Sequence, residues 1–218
     1  MSQEENALDR EKKKRIDVEP HEEQDELGRK LVASFDGSLF EVYLRIPIVP
    51  NKWWLDLWEL YETSMDIKEA VQDQRAYTLQ QFFEAMTDPE YIKYPILMDG
   101  KPVGLVMGTT DPEKMRVNYV NPDFIRARFP EAVAKRRLVY GMVTFFSPKI
   151  RSMGFYGWVV RAIFDNYAEI CDVYVSDVSD SRLPLKRILE QAAEESGIPV
   201  KSEVLGTQTY FAISRLRT

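Results

Sequence analysis

The feature that most constrains the fold of this chain is a long apolar segment followed by a short basic loop and an apolar helix. Residues Leu138–Phe146 are apolar at both alternating sets of positions, which predicts a central strand covered on both faces of a sheet. Ser147 and Pro148 end this strand, because proline cannot donate a hydrogen bond to a neighbouring strand. The loop 149–157 then leads into a predicted helix over Trp158–Tyr167.

The position of this loop favours an anionic ligand. A loop between a buried strand and a helix N-terminus presents unpaired backbone N–H groups and the positive end of the helix dipole, which suits a diphosphate. Between Ile125 and Ala162 the only acidic residue is Glu131. The basic residues of this stretch are Arg126, Arg128, Lys135, Arg136, Arg137, Lys149, Arg151 and Arg161. They indicate either a phosphate-binding cluster or a solvated basic face on an acidic protein.

Composition sets milder limits on the class of protein. With 218 residues, 44% of them hydrophobic, the chain can form one domain with a sizeable core. A net charge of -6 argues against a general nucleic-acid binder. The single cysteine, Cys171, cannot form an internal disulfide, and no apolar run approaches the roughly 18 residues of a membrane span. We therefore expect a cytoplasmic protein that does not insert into a membrane.

The scarcity of histidine excludes several kinds of catalytic and metal site. The only histidine, His21, lies in a charged N-terminal segment, so the folded domain lacks the base of a Ser-His or Cys-His pair. One histidine and one cysteine cannot make a zinc site, and no Asp-rich loop has the spacing of a calcium or magnesium site. We expect no metal. The chemistry that is left is one in which the protein supplies position and dipoles while a bound molecule carries the reactive group.

The chain divides into a charged tail and one folded domain. Residues 1–35 are rich in Glu, Asp, Lys and Arg and almost free of aromatics, which predicts a flexible tail that is dispensable for folding. An exposed helix or a partner-binding arm is the alternative. Residues 36–218 are predicted to form the domain, with no repeat, linker or low-complexity tract from residue 39 onwards.

The predicted elements of the domain follow from periodicity and from turn and cap signals. In order, they are a strand Phe40–Ile46, a helix around Trp54–Tyr61, a helix with the capping box Thr78/Gln81, a hairpin Tyr94–Met98 and Pro102–Gly108 around Asp99–Gly100, a helix from Asn121 to Ala134, the central strand Leu138–Phe146, the helix Trp158–Tyr167, a strand Asp172–Val178, a helix Leu183–Gly197, and a closing pair Val200–Val204 and Gln208–Ser214. The polar segment 66–77 separates the first two helices and is expected to form one wall of a substrate pocket.

This order resembles one known superfamily. The sequence Arg151-x-x-Gly154 followed by a helix resembles the pyrophosphate loop of the GNAT (GCN5-related N-acetyltransferase) acyltransferases, and the element order is similar over about residues 40–216. Asp99-Gly100 followed by 102–105 looks like their hairpin, and 207–210 looks like the terminal strand of an uncharacterised branch. The resemblance implies an α/β (α+β) fold with a mixed, mostly antiparallel sheet, splayed at its central strands and flanked by helices.

The resemblance also implies a function. It implies direct transfer of an acyl group from acetyl-CoA or another acyl-CoA to an amine of a small molecule or peptide, with the pantetheine arm lying between the splayed strands. The residues it assigns to CoA are Phe145, Phe146, Arg151, Ser152, Met153, Gly154, Phe155 and Tyr156. Without a histidine, the base must be a carboxylate, a tyrosine or a chain of waters. Asp177, at the end of the next strand, and Tyr210, on the closing strand, are the candidates.

Two departures from the family pattern support a second hypothesis. Tyr156 stands where the loop usually has glycine or alanine, and residues 183–196 contain no tyrosine, although many family members use one on that helix to protonate the leaving thiolate. The alternative is a non-catalytic binding or assembly module of the same shape. The sequence leaves a homodimer open.

Overall fold

The computed structural model describes residues 30–35, 40–44, 52–64, 76–115, 120–148, 156–177, 184–195, 197 and 199–206. Among these, six strands form one sheet in the order β1-β2-β3-β4-β5-β6. The strands are β1 Lys30–Phe35, β2 Phe40–Leu44, β3 Tyr91–Met98, β4 Lys101–Thr109, β5 Leu138–Phe146 and β6 Val173–Ser176. Neighbours are antiparallel from β1 to β5, whereas β5 and β6 are parallel. The sheet is therefore mixed and mostly antiparallel, as predicted.

The helices of the described residues lie in the connections between strands, except the last one, which follows β6. They are α1 Lys52–Ser64, α2 Leu79–Thr87, α3 Pro122–Arg128, α4 Pro130–Ala134, α5 Tyr156–Ile170 and α6 Pro184–Glu195, with a short 3-10 helix at Pro112–Lys114. Helix α5 makes the crossover that two parallel strands need between β5 and β6. The predicted capping box begins α2, because the Thr78 hydroxyl accepts from the Gln81 N–H and the Gln81 side chain accepts from the Thr78 N–H.

The β3–β4 hairpin forms where its turn residues predict it. Asp99 and Gly100 both have positive φ, 52° and 71°, as the two-residue turn that matches the strand twist requires. The turn places Met98 opposite Lys101 and Leu97 opposite Pro102. The register then shifts by one residue, so that Ile96 pairs with Gly104 in the buried part of the hairpin.

Core side chains lie on both faces of the sheet. The face that carries α5, here called the α5 face, buries Tyr94, Ile96, Val106, Val139 and Phe146 against Val159, Ile163 and Tyr167. The other face, here called the α1 face, buries Leu105, Met107, Val143 and Phe145 against Trp54, Leu57, Tyr61, Phe82 and Met86. At the β6 end of the α1 face, Leu138, Tyr140 and Val175 pack with Ile125 and Ala132. Because both faces are covered, β5 is the doubly buried strand that its apolar sequence predicts.

Apart from shifts of a few residues at the ends of elements, the structure differs from the prediction at three points. Residues Lys30–Phe35 were assigned to the tail but pair with β2 as an edge strand, so the domain begins earlier than residue 36. The single helix predicted up to Ala134 is two helices, because the chain leaves helical geometry at Phe129, where φ is -130°, and Pro130 starts a new helix. Residues 200–204 do not form the predicted strand. Residues 1–29, the segment 66–75 and the last strand Gln208–Ser214 lie outside the described residues.

Candidate active site between β5 and β6

The parallel ladder between β5 and β6 is much shorter than β5 itself. It pairs Leu138–Gly141 with Val173–Ser176, which is four of the nine residues of β5. Beyond Gly141, β5 continues to Phe146, and no strand of the described part of the chain pairs with this outer edge. We call the space between residues 142–146 and the end of β6 at 176–177 the gap. It is the splay that the resemblance implies for the central strands.

A β-bulge gives the gap a local physical cause. On the other side of β5, Gly108 pairs with Gly141 and Met107 pairs with Val143, so Met142 is an extra residue in the strand. A bulge bends a strand and increases its local twist. This one follows directly after the last pair of the β5–β6 ladder, so β5 turns at the point where β6 stops accompanying it. The sequence carries a signal for it, since a glycine inside a strand marks a bulge or a close approach.

Tyr174 reaches the inner end of the gap from the α5 face. Its hydroxyl packs against Gly141, where an added β-carbon would lie 2.2 Å from the phenolic oxygen. Its ring stacks on Tyr167 with centroids 5.6 Å apart and meets the edge of Phe164 at 5.5 Å. Burial raises the pKa of Tyr174 to about 12, although a hydrogen bond with the Ser176 side chain acts in the opposite direction. The hydroxyl is therefore neutral at physiological pH.

Asp177 lies at the same position along the sheet but on the α1 face. It follows the last residue of β6, and its carboxylate accepts a 2.6 Å hydrogen bond from the hydroxyl of Tyr140. Tyr140 is only 1% exposed, so its packing fixes the position of this donor. Side chains alternate along β6, which explains why Tyr174 and Asp177 are on opposite faces. Sequence reasoning selected Asp177 but missed Tyr140, which reads simply as one more apolar residue of a buried strand.

The side chains of Phe145 and Phe146 are structural. Phe145 is 3% exposed on the α1 face, where its ring meets the edge of Tyr61 at 5.5 Å. Phe146 packs on the α5 face over Gly104, where an added β-carbon would lie 2.7 Å from the Phe146 ring. Both residues border the gap, so backbone groups are what they can offer to a ligand there. The hypothesis from the resemblance concerns those backbone groups.

Of the remaining predicted site residues, the structure describes only Tyr156. Residues Arg151, Ser152, Met153, Gly154, Phe155 and Tyr210 lie outside the described residues. Tyr156 is the first residue of α5, which places the predicted pyrophosphate loop directly before the helix N-terminus. This N-terminus is at the same end of the sheet as the gap, because α5 follows the carboxyl end of β5.

The predicted basic cluster is mostly neutralised by acidic residues from other parts of the chain. The ion pairs are Arg126 with Glu113 and Asp123, Arg128 with Glu203, Lys135 with Glu131, Arg136 with Glu90, and Arg137 with Asp172. Arg126 and Arg136 line an open cleft of about 390 Å³ beside Glu90 and Asp111. We call this the charged cleft. It lies where β3 and β5 begin, at the end of the sheet opposite the gap. These arginines therefore do not form the expected phosphate site beside the loop.

The order and direction of the strands identify the fold. Antiparallel strands β1 to β5 are followed by a helical crossover to a parallel β6 that separates from β5 at a bulge. The fold is GNAT-like. Solved structures of similar shape include a ribosomal-protein-alanine N-acetyltransferase from Brucella melitensis biovar Abortus 2308, at 13% identity over 79% of this chain and 99% of that chain, with a TM-score of 0.48.

Two further solved structures are aminoglycoside acetyltransferases. One comes from an uncultured soil metagenomic sample and was solved with trehalose, at 10% identity, 82% and 99% coverage of this and that chain, and a TM-score of 0.47. The other is in complex with CoA, at 15% identity, 80% and 97% coverage, and a TM-score of 0.41. No family model and no curated protein matches the sequence. The assignment of a GNAT-like fold rests on strand order and on the gap.

The described residues contain neither a metal-binding cluster nor a membrane-spanning helix. Within that part of the chain, no three or more His, Cys, Asp or Glu residues are grouped so that they could hold a metal ion. No helix there has the length and apolar character needed to cross a membrane.

Proposed function

We propose that this chain is an N-acyltransferase that moves an acyl group from acetyl-CoA or another acyl-CoA to an amine. The observation that carries the proposal is the gap, which lies between a bulged central strand and a parallel neighbour that ends early. The GNAT resemblance assigns the pantetheine arm to this position. Holding a thioester and an amine together there would supply much of the rate, since fixed proximity converts a bimolecular step into a unimolecular one.

The predicted loop before α5 would hold the diphosphate of CoA. Residues proposed for this role are Arg151, Ser152, Met153, Gly154, Phe155 and Tyr156, with the backbone of Phe145 and Phe146 facing the thioester and pantetheine. Backbone N–H groups at the start of α5 favour phosphate oxygens because they have no partner within the helix. Gly154 is the most sensitive position, because a side chain there would point at the diphosphate.

The environment of Cys171 supports direct transfer without an acyl-enzyme. Cys171 is the only cysteine of the chain and is partly buried against the core of the α5 face. Burial raises the pKa of its thiol to about 11, although the nearby Arg137 lowers it. The thiolate is the nucleophilic form, so this cysteine is almost inactive at neutral pH. The amine itself is therefore the proposed nucleophile.

Asp177 is the proposed base on the α1 face. As the amine nitrogen attacks, the new carbon–nitrogen bond forms and the carbon–sulfur bond breaks, with the electron pair leaving on sulfur. The amine releases a proton, which the Asp177 carboxylate accepts and passes to solvent. Tyr140 positions that carboxylate through its 2.6 Å hydrogen bond. Tyr210 is the second proposed candidate for this role.

Binding of CoA is the first test. Isothermal titration of the full chain with CoA should give saturable heat, and Gly154→Leu should abolish it. Gly206→Leu is the matched control, because this exposed glycine lies outside the proposed loop and α5, and an added β-carbon there meets nothing within 4 Å. Absence of heat with the unsubstituted chain would refute the proposal.

Transfer is the second test. Release of free CoA thiol from acetyl-CoA should be measured with a panel of small amines and of peptides with free N-termini. Mass spectrometry of the protein during turnover should find no acyl group on Cys171. An acyl-Cys171 adduct formed at a rate that matches turnover would contradict direct transfer.

A non-catalytic binding or assembly module is the second candidate function. The observation that favours it is that Tyr156, with its large side chain, starts α5 where the family loop has glycine or alanine. CoA binding without turnover on any amine would support this candidate. For either function, we propose the cytoplasm as the compartment, because one cysteine makes no internal disulfide. Sedimentation of the full chain would decide whether it forms a homodimer.

A further inference from the structure

We propose that the side of α1 that points away from the sheet is a docking surface for a basic run, residues 12–15, in the N-terminal segment of the same chain. This side, here called the outer surface of α1, consists of Leu55, Glu59 and Glu62, which follow one another at helical spacing. Asp56 lies at its margin. The contact is independent of the proposed function, since neither the gap nor CoA takes part in it.

The outer surface of α1 carries negative charge that has no partner. Glu59 and Glu62 are exposed, and Asp56 is half-buried. None of the three carboxylates forms an ion pair with a residue that the structure describes. They follow one another at intervals of three residues, so neighbouring charges along the helix repel each other.

The helix itself opposes this arrangement of charges. Glu62 lies in the last turn of α1, which contains no basic residue, so its charge adds to the negative end of the helix dipole. On the same surface, Leu55 is 56% exposed. A partner that brings several positive charges next to an apolar side chain would compensate both features, and its chemistry is that of a basic segment flanked by apolar residues.

The N-terminal segment contains a sequence of this kind. Four consecutive basic residues are followed by two apolar ones within three positions, namely Lys12, Lys13, Lys14, Arg15, Ile16 and Val18. Residues 1–29 lie outside the described residues. The four positive charges complement the three carboxylates of α1, and Ile16 and Val18 supply apolar contacts for Leu55.

The chain connects the basic run to α1 over a distance that it can span. Lys30, the first residue of β1, pairs with Leu44, the last residue of β2, from which residues 45–51 lead to α1. The start of α1 therefore lies within about 27 Å of Leu44. Residues 16–29 span up to about 50 Å when extended, which is enough to reach the outer surface. Six acidic residues between positions 17 and 26 repel one another and favour such an extended linker.

The covalent connection makes a weak contact sufficient. Each exposed ion pair contributes little to binding on its own. A linker that can span the two sites holds the basic run near the outer surface at an effective concentration on the order of millimolar. Several ion pairs formed together therefore keep the run docked at low ionic strength, whereas high salt screens them.

Carbodiimide crosslinking of the full chain tests the proposal, because this reagent joins a lysine amine to a carboxylate that contacts it. Equal amounts of ¹⁵N-labelled and unlabelled chain are mixed before the reaction, and the joined peptides are identified by mass spectrometry. At low ionic strength, lysines 12–14 should be joined to Asp56, Glu59 or Glu62, and each joined pair should contain one isotope only. In about 1 M salt the yield should fall by about fivefold or more, because the Debye length is then only about 3 Å.

Two double variants of the full chain show whether the charge of the outer surface is responsible. Glu59→Gln combined with Glu62→Gln should lower the yield at the remaining Asp56 by about fivefold, because the attraction of the basic run is lost. Glu194→Gln combined with Glu195→Gln is the matched control, since these two acids are exposed at the end of α6. It should leave the yield at Asp56 unchanged.

The possible results separate the proposal from its alternatives. If lysines 12–14 form no crosslinks, or join acids of other helices as often as those of α1, the basic run does not dock on the outer surface. The same conclusion follows if the Glu59/Glu62 double variant crosslinks at Asp56 as well as the unsubstituted chain does. Joined peptides that combine the two isotopes would show that the run binds a second copy of the chain, and the contact within one chain would be wrong. None of these results affects the proposed acyl transfer, which is tested by the titration with CoA.

Discussion

The gap and the charged cleft lie at opposite ends of the same sheet and differ in how their polar groups are used. In the charged cleft, Arg126 and Arg136 each have an acidic partner, so the cleft presents charges that already neutralise one another. At the gap, the polar groups are few and held by packing: a carboxylate bonded to a buried phenol, and a second phenol at the end of the ladder. Of these two sites, only the gap combines a bend in the sheet with a carboxylate and a phenol that are held in place by packing.

The difference teaches that charge counted along a sequence is a poor guide to an anion site. Arg126, Arg136 and Arg137 belong to a stretch with a single acidic residue, yet their partners come from residues 90, 113, 123 and 172, outside that stretch. Exposed ion pairs contribute little to stability, but they remove the arginines from the pool of free phosphate ligands. Substitutions at the two ends of the sheet should therefore have very different effects.

The largest effect is expected at Asp177. Asp177→Asn keeps the shape of the side chain but removes the proposed base, so kcat for acyl transfer should fall by about 10²- to 10⁴-fold. KM for acetyl-CoA and the heat of CoA binding should stay unchanged, since the proposal places Asp177 on the side of the amine and away from CoA. Steady-state kinetics together with isothermal titration measure both quantities.

Asp172→Asn is the matched control for this prediction. Asp172 lies at the other end of β6, where it pairs with Arg137 at 2.7 Å on the surface. Loss of this exposed pair should leave kcat unchanged. If the two asparagine variants reduce kcat equally, Asp177 acts through the stability of β6 and is not the base.

An intermediate effect is expected from filling the space beneath Phe146. A β-carbon at Gly104 would lie 2.9 Å from the Phe145 carbonyl oxygen and 2.7 Å from the Phe146 ring. The backbone of β5 must then shift, so Gly104→Ala should lower the free energy of unfolding by about 1 to 3 kcal/mol. Urea denaturation measures this loss as a lower midpoint at an unchanged m-value.

Gly157→Ala provides the comparison. This glycine lies in the first turn of α5 with open space around it, so alanine should raise the free energy of unfolding by up to about 1 kcal/mol. A Gly104→Ala variant that is as stable as Gly157→Ala would show that the backbone of β5 shifts at little cost beside the gap. The premise that β5 is a rigid side of the candidate site would then be wrong.

The elements that sequence alone predicted are those whose signals are local. The apolar run predicts β5 with the bounds Leu138–Phe146. The capping box of Thr78 and Gln81, which spans four residues, predicts the start of α2 at Leu79. The Asp99–Gly100 turn placed the hairpin in the same way. In each case the residues that make the decisive contacts are neighbours in the chain, so their spacing carries the information.

The parts that escaped prediction depend on partners distant in sequence. Tyr140 and Asp177 are 37 residues apart, and the contact of Tyr174 with Gly141 crosses two strands, so no spacing rule reveals either. The edge strand β1 is stabilised by its pairing with β2. Its own sequence does not reveal it, because its short apolar run lies beside a charged segment. The two side-chain contacts and strand β1 all depend on pairing between distant segments, whereas periodicity indicates only which face of an element is apolar.

The smallest effect is expected in the charged cleft, and it tests the comparison most directly. Arg136 pairs with Glu90 while its own side chain is 59% exposed, so Arg136→Gln should change the free energy of unfolding by less than about 1 kcal/mol. It should also leave the affinity for CoA unchanged, whereas Arg151→Gln in the predicted diphosphate loop should weaken it. Calorimetric titration of both variants with CoA separates the two ends of the sheet. If Arg136→Gln weakens binding as much as Arg151→Gln does, the phosphates bind in the charged cleft, and the gap is not the binding site of the thioester.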